Sequence, residues 1–218
     1  METNSNYSDA RIKRISGDRL KAELDNGRIV IVAGFQGINK MGDVTTLGRG
    51  GSDTTAVELA AALKADRCEI YSDVDGIYTA DPRLVTGAVR LDSIDYGDML
   101  HLALHGSQVL HSRSVEAAMR ANVRVHLLSS FTRHEGTVMC KLDDRPGLCG
   151  VTRDSSLGTV SIIGREADAH VLAEAVAALA HSDIIVTRTE LFDGGCSLFV
   201  SPDRLLPALE ITHRRFFR

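Results

Sequence analysis

Residues Leu47–Ala56 read LGRGGSDTTA, and the segment Thr54–Ala65 that overlaps and follows reads TTAVELAAALKA. Three glycines, Gly48, Gly50 and Gly51, fall within four residues, just ahead of a helix signal. In that signal Ala56, Leu59, Ala60 and Leu63 recur at helical spacing, the pattern of an amphipathic helix. Glycine lets backbone N–H groups come close to a ligand. A helix N-terminus adds about half a positive charge and free donors. Arg49 offers a planar fork suited to a carboxylate, and Ser52 or Asp53 can cap the helix. The same residues also suit a capped tight turn that holds no ligand.

Working outward, Ser16–Asn26 is predicted as a short helix ended by Gly27. Arg28–Ala33 (RIVIVA) is a β-rich apolar run with the pattern of a strand buried on both faces, followed by a glycine-rich loop, Gly34–Gly51. Downstream, Cys68–Tyr71 reads as a strand, Tyr96–His105 and Val109–Ala121 as helices, and Val123–Leu128 and Thr137–Cys140 as strands. Strands alternating with helices imply a parallel α/β sheet covered on both faces, with chemistry in the loops at the carboxyl ends of its strands.

One such loop is Tyr71–Arg83, YSDVDGIYTADPR, which crowds Asp73, Asp75 and Asp81 together. Like charges so close need a cation or hydrogen-bond donors. Asp75-Gly76 and Asp81-Pro82 also read simply as turns. In His105–Arg113, HGSQVLHSR, His111 is a candidate base or ligand beside the commoner packing or capping role.

The turn-rich Asp143–Gly150, DDRPGLCG, marks a boundary between a first domain, 1–142, and a second, 143–218. Beyond it the expected order is a strand (Thr159–Ile163), a helix (Ala167–His181), two strands (Ile184–Phe192 and Cys196–Ser201) joined at Asp193-Gly194-Gly195, and a helix (Asp203–His213). That β-α-β-β-α order suits a ferredoxin-like module whose last strand, after the final helix, is missing.

A net charge of −4 gives no reason to expect nucleic-acid binding. No apolar run reaches the roughly 20 residues of a membrane span, and the polar N-terminus is not a signal peptide, so a cytoplasmic location is expected. The four cysteines (Cys68, Cys140, Cys149, Cys196) lack C-x-x-C spacing, so no structural metal is expected.

In order and spacing, VAGFQG (Val32–Gly37), TTLGRGGSDTTA (Thr45–Ala56) and YSDVDGIYTADPR (Tyr71–Arg83) resemble the aspartokinases of the amino-acid-kinase family. The likeness runs from about Ala10 to about Gly136, and the tail, with GVTRD and TVSIIG, resembles the ACT regulatory module of that family. The resemblance implies part of a carbamate-kinase-like α/β/α sandwich with a parallel sheet, followed by an ACT-type ferredoxin-like module. It implies ATP-dependent phosphorylation of the L-aspartate side-chain carboxylate in lysine, threonine and methionine biosynthesis, with Mg2+ carried on ATP. By resemblance Arg49 and Ser52 would bind substrate, Asp53 would act in catalysis, and Ser72, Asp73, Tyr78 and Arg83 would hold the nucleotide.

The sequence also departs from the family. No lysine-glycine-glycine-serine phosphate loop is present, so the chain is expected to start near the family's mid-domain and to lack activity alone. Gln108 takes the place of a nucleotide-contacting lysine, and Gly164–His170 (GREADAH) lacks the Pro-Gly of an ACT effector site. An alternative expectation is therefore a non-catalytic ACT-bearing subunit. In either case the module is expected to pair the chain with itself or with another aspartokinase chain.

Overall fold

A computed structural model describes residues 1–217. In chain order it begins with β1 (Glu2–Thr3), β2 (Ile12–Arg14), α1 (Asp18–Asp25), β3 (Gln36–Ile38), β4 (Val44–Thr46) and α2 (Gly51–Leu63). Then come β5 (Cys68–Ser72), β6 (Ser93–Asp95), α3 (Tyr96–Leu104), α4 (Ser112–Ala121), β7 (Val125–Ser129) and β8 (Thr137–Cys140). It closes with β9 (Gly150–Asp154), β10 (Thr159–Ile163), α5 (Ala169–Ala180), β11 (Arg188–Phe192), β12 (Gly195–Phe199) and α6 (Leu205–Phe216). The strands form sheets in the orders β2-β1-β3-β4, β5-β7-β8-β6 and β11-β12-β10-β9. The chain divides into two compact units, residues 1–70 with 110–126, and residues 71–109 with the chain from Leu127 onward.

In the first unit α1 ends at Asp25 with Asn26 as its C-cap, and Gly27 follows at φ 71°, the left-handed region that glycine enters freely. The glycine-rich stretch expected as loop contains a hairpin, with Gln36 opposite Thr46 and Ile38 opposite Val44. Its turn is built by Asn39, whose side-chain oxygen accepts from the N–H groups of Met41 and Asp43, both at 2.9 Å. α2 packs on α4 and buries Gly51, Thr54, Thr55, Val57 and Ala60. Of the expected apolar stripe only Ala60 is buried. Threonines can face inward because their hydroxyls donate back to the helix, Thr54 to Gly50 O at 2.8 Å and Thr55 to Gly51 O at 2.7 Å.

The expected buried strand Arg28–Ala33 does not form. Ile29 is 96% exposed and Ile31 94% exposed, and among the described residues no hydrogen bond engages the backbone of residues 29–34. A strand is stable only when a neighbour takes up its N–H and C=O groups. This segment has none among the described residues, so its β propensity goes unused.

In the second unit β6 and β8 run parallel, with Ile94 opposite Met139. Asp95 caps α3 by accepting from the Gly97 N–H at 2.9 Å. The C-terminal part is a ferredoxin-like module with a fully antiparallel sheet, in which Ile162 of β10 faces Val151 of β9 and Cys196 of β12. Among the described residues no strand follows α6, and the fourth member of the sheet is instead Gly150–Asp154, an unexpected strand that comes before β10. Val151, Val160, Ile162, Cys196 and Leu198 from this sheet pack with Ala175 and Leu179 of α5 and Ala208 and Leu209 of α6. Asp168 starts α5 by accepting from the His170 and Val171 N–H groups at 2.8 and 3.1 Å. Among the described residues no helix is long and apolar enough to cross a membrane.

Candidate functional site

The glycine loop that feeds α2 lies in the first unit. Gly48 and Gly50 adopt φ of 72° and 70°. A Cβ on Gly50 would come within 2.3 Å of the His111 Cβ, and one on Gly51 within 2.8 Å of the Phe35 ring. Close approach and backbone sign therefore both require glycine at position 50. Gly50, not Ser52 or Asp53, occupies the N-cap position of α2, and no side chain caps the helix. The expected side-chain cap is absent because the turn tightens at Gly50 and places Ser52 and Asp53 inside the first helical turn. The N–H groups of Ser52 and Asp53 have no protein partner among the described residues. They are donors at the positive end of a helix, beside an exposed Arg49 that no ion pair holds among the described residues.

Asp53 takes a hydrogen bond from the Ser52 hydroxyl at 3.4 Å. Burial pushes its carboxyl above the ordinary range, opposed by the Ser52 hydroxyl and the nearby His111. His111 itself caps α4, its Nδ1 accepting from the Arg113 N–H at 3.3 Å. The structure thus brings Arg49, Ser52, Asp53 and His111 into one neighbourhood.

Sequence reasoning missed Arg113. Its side chain is only 9% exposed and pairs with Asp9 at 2.8 Å. The same guanidinium donates to the Ala10 carbonyl at 2.6 Å and to the Leu47 carbonyl at the base of the glycine loop. An arginine fork can brace several carbonyls at once, which a lysine cannot. The only signal in the sequence was its place two residues after His111.

The aspartate loop lies in the second unit. Each of its three carboxylates has a side-chain partner within the loop. Ser72 donates to Asp73 at 3.0 Å, Tyr78 donates to Asp75 at 3.0 Å, and Arg83 grips Asp81 through Nε and a terminal nitrogen at 3.0 and 2.8 Å. That fork holds the Asp81 carboxyl below its usual range. Burial and the bond to Asp75 push the Tyr78 hydroxyl up. Arg83 is thus engaged by its own loop, while Asp73 and Gln108 are exposed. Thr137 of β8 anchors the loop by accepting from the Ile77 N–H at 2.8 Å. Gly76 allows this contact, since a Cβ there would lie 2.6 Å from the Thr137 hydroxyl. Among the described residues no three His, Cys, Asp or Glu side chains converge to hold a metal ion.

The amino acid kinase family model matches residues 2–129, which take in both loops. This chain belongs to the amino acid kinase family. It is 48% identical over 188 residues to an aspartokinase of Corynebacterium glutamicum, covering 84% of this chain and 45% of that protein. It is 54% identical over 137 residues to an aspartate kinase of Pseudomonas putida, covering 63% of this chain and 33% of that protein. Among solved structures it resembles E. coli aspartokinase III in complex with aspartate and ADP, with a TM-score of 0.65 and 33% identity over 92% of this chain and 47% of that one. This amino acid kinase chain therefore has an aspartate-kinase-like sequence and fold, and it spans less than half the length of these relatives.

Proposed function

We propose that this chain supplies the aspartate-binding and nucleotide-binding loops of an aspartate kinase, which transfers the γ-phosphoryl group of ATP to the side-chain carboxylate of L-aspartate. A carboxylate with a pKa of about 3.9 is ionised at neutral pH and needs no general base. Its oxygen attacks the γ-phosphorus, the bond to the β-γ bridging oxygen breaks, and ADP leaves. The barrier is mainly charge repulsion, so catalysis rests on positioning and on donors aimed at the transferring group.

The observation that carries this reading is the glycine loop. It offers the Ser52 and Asp53 N–H groups and an exposed Arg49, none of them paired among the described residues, as a receptor for a carboxylate. Arg49 and Ser52 would hold aspartate, with Asp53 orienting the reacting groups. Ser72, Asp73, Tyr78 and Arg83 would hold the nucleotide, Arg83 exchanging Asp81 for phosphate, with Gln108 as a neutral contact. Magnesium would arrive as the ATP complex. The C-terminal region, 143–218, would be an ACT-type regulatory module that pairs with a second copy or with another aspartokinase chain. The setting would be the cytoplasm and lysine-pathway biosynthesis.

A second reading, a non-catalytic ACT-bearing subunit, is favoured by Gln108, a neutral amide where the family resemblance puts a nucleotide-contacting lysine. The two separate in one assay. The purified chain is given aspartate, ATP, magnesium and hydroxylamine, which traps the acyl phosphate as a hydroxamate. Hydroxamate above background, lost in Arg49→Ala, supports the enzyme. Nucleotide binding without hydroxamate supports the subunit. Neither product nor binding of aspartate or nucleotide contradicts both.

A further inference from the structure

The loop Tyr78–Val89 carries Asp81 and Arg83, and one buried residue, Thr79, fixes it from three sides. The Thr79 hydroxyl accepts from the Val89 N–H at 3.0 Å, closing the loop on itself. The Thr79 N–H donates to the Val89 carbonyl at 2.9 Å, and the Thr79 carbonyl accepts from the Val151 N–H of β9 at 2.7 Å. The remaining capacity of the hydroxyl meets Nε2 of His213, on α6, at 2.8 Å.

His213 is only 2% exposed, and its ring stacks on Phe217 with centroids 5.2 Å apart. Gly150 makes room for the arrangement, since a Cβ there would sit 3.0 Å from the Thr79 carbonyl oxygen. Ala80 and Val85 of the same loop join the apolar core that holds Leu209 of α6. A buried hydroxyl and a buried imidazole are costly unless they satisfy each other. The pair is therefore a constraint on where the loop sits as well as a packing contact.

Building on the nucleotide reading of this loop, we infer that His213 is a positioning residue for the nucleotide loop, acting through Thr79. Through this contact any displacement of α6 in the C-terminal module reaches Asp81 and Arg83 by three consecutive links: ring, hydroxyl, backbone.

The test uses the full chain and reads hydrogen exchange at the Thr79 and Val89 amides together with Mg-ATP affinity. His213→Phe keeps the volume and removes the polar atom. Thr79→Val keeps the shape and removes the hydroxyl. His213→Gln and Thr79→Ser restore a polar partner and guard against simple misfolding. The expected result is loop exchange faster by about tenfold or more in the first pair, near wild type in the second pair, with ATP affinity falling and recovering in parallel. Amides of Val160 and Leu198 in the sheet serve as the control. Wild-type loop exchange in His213→Phe, an equal rise at the control amides, or fast loop exchange with unchanged ATP affinity would each overturn the inference. If the wild-type chain binds no ATP, the nucleotide reading fails instead, and the exchange data alone judge the latch between α6 and the loop.

Discussion

Two apolar runs in this chain look alike and behave oppositely. Arg28–Ala33, RIVIVA, and Thr159–Ile163, TVSII, are both short and rich in β-branched residues. The second is the central strand β10, buried along its whole length and bonded to β9 on one side and β12 on the other. The first is exposed coil. Side-chain chemistry makes a segment willing to be a strand, and only a neighbouring backbone makes it one. β propensity measures fit to a half-buried pleated surface, so a run without such a surface contributes nothing to the fold.

The contrast between buried sheet and exposed coil has measurable consequences. The largest effect is expected in thiol reactivity. Cys196 faces Ile162 in the buried sheet, and burial pushes its thiol up to about 11. At pH 8 about a thousandth of it is thiolate, rising tenfold per pH unit until the pKa is reached. Partly exposed Cys140 should be alkylated at least about a hundredfold faster, as followed by mass spectrometry. Comparable rates would mean the sheet opens readily. Next, Ile162→Ala should lower the unfolding free energy by about 2–5 kcal/mol in urea titrations, through lost burial and an unfilled cavity. Gly50→Ala should cost about 1–3 kcal/mol for its left-handed backbone, and more where His111 cannot yield. Smallest of all, Ile29→Ser and Ile31→Ser should stay within about 0.5 kcal/mol of the parent. A loss of several kcal/mol at either position would show that this run is paired in solution.

Legibility followed the same logic. α2, α3, β8, β10 and the β11–β12 turn carry their own periodicity and turn residues, and they form close to where the sequence places them. β9, which begins where the turn-rich Asp143–Gly150 ends, was not legible, because GVTRD becomes a strand only beside β10. The β3–β4 hairpin was masked by its glycines, although Asn39 with Gly42 was a readable turn signal. At the candidate site the glycine loop and the aspartate loop were legible as motifs. Their internal partners were not. Arg83 is spent on Asp81, and Arg113 supports Leu47 from 66 residues away. Such contacts depend on chain reversals that residue spacing does not encode.

The most direct test of the central claim is calorimetric titration of the chain with Mg-ATP in the presence and absence of L-aspartate. The expected result is a saturable one-to-one nucleotide isotherm, weakened at least about tenfold by Asp73→Ala, and a separate aspartate isotherm lost in Arg49→Ala. No heat from either ligand, or binding indifferent to both substitutions, would contradict it.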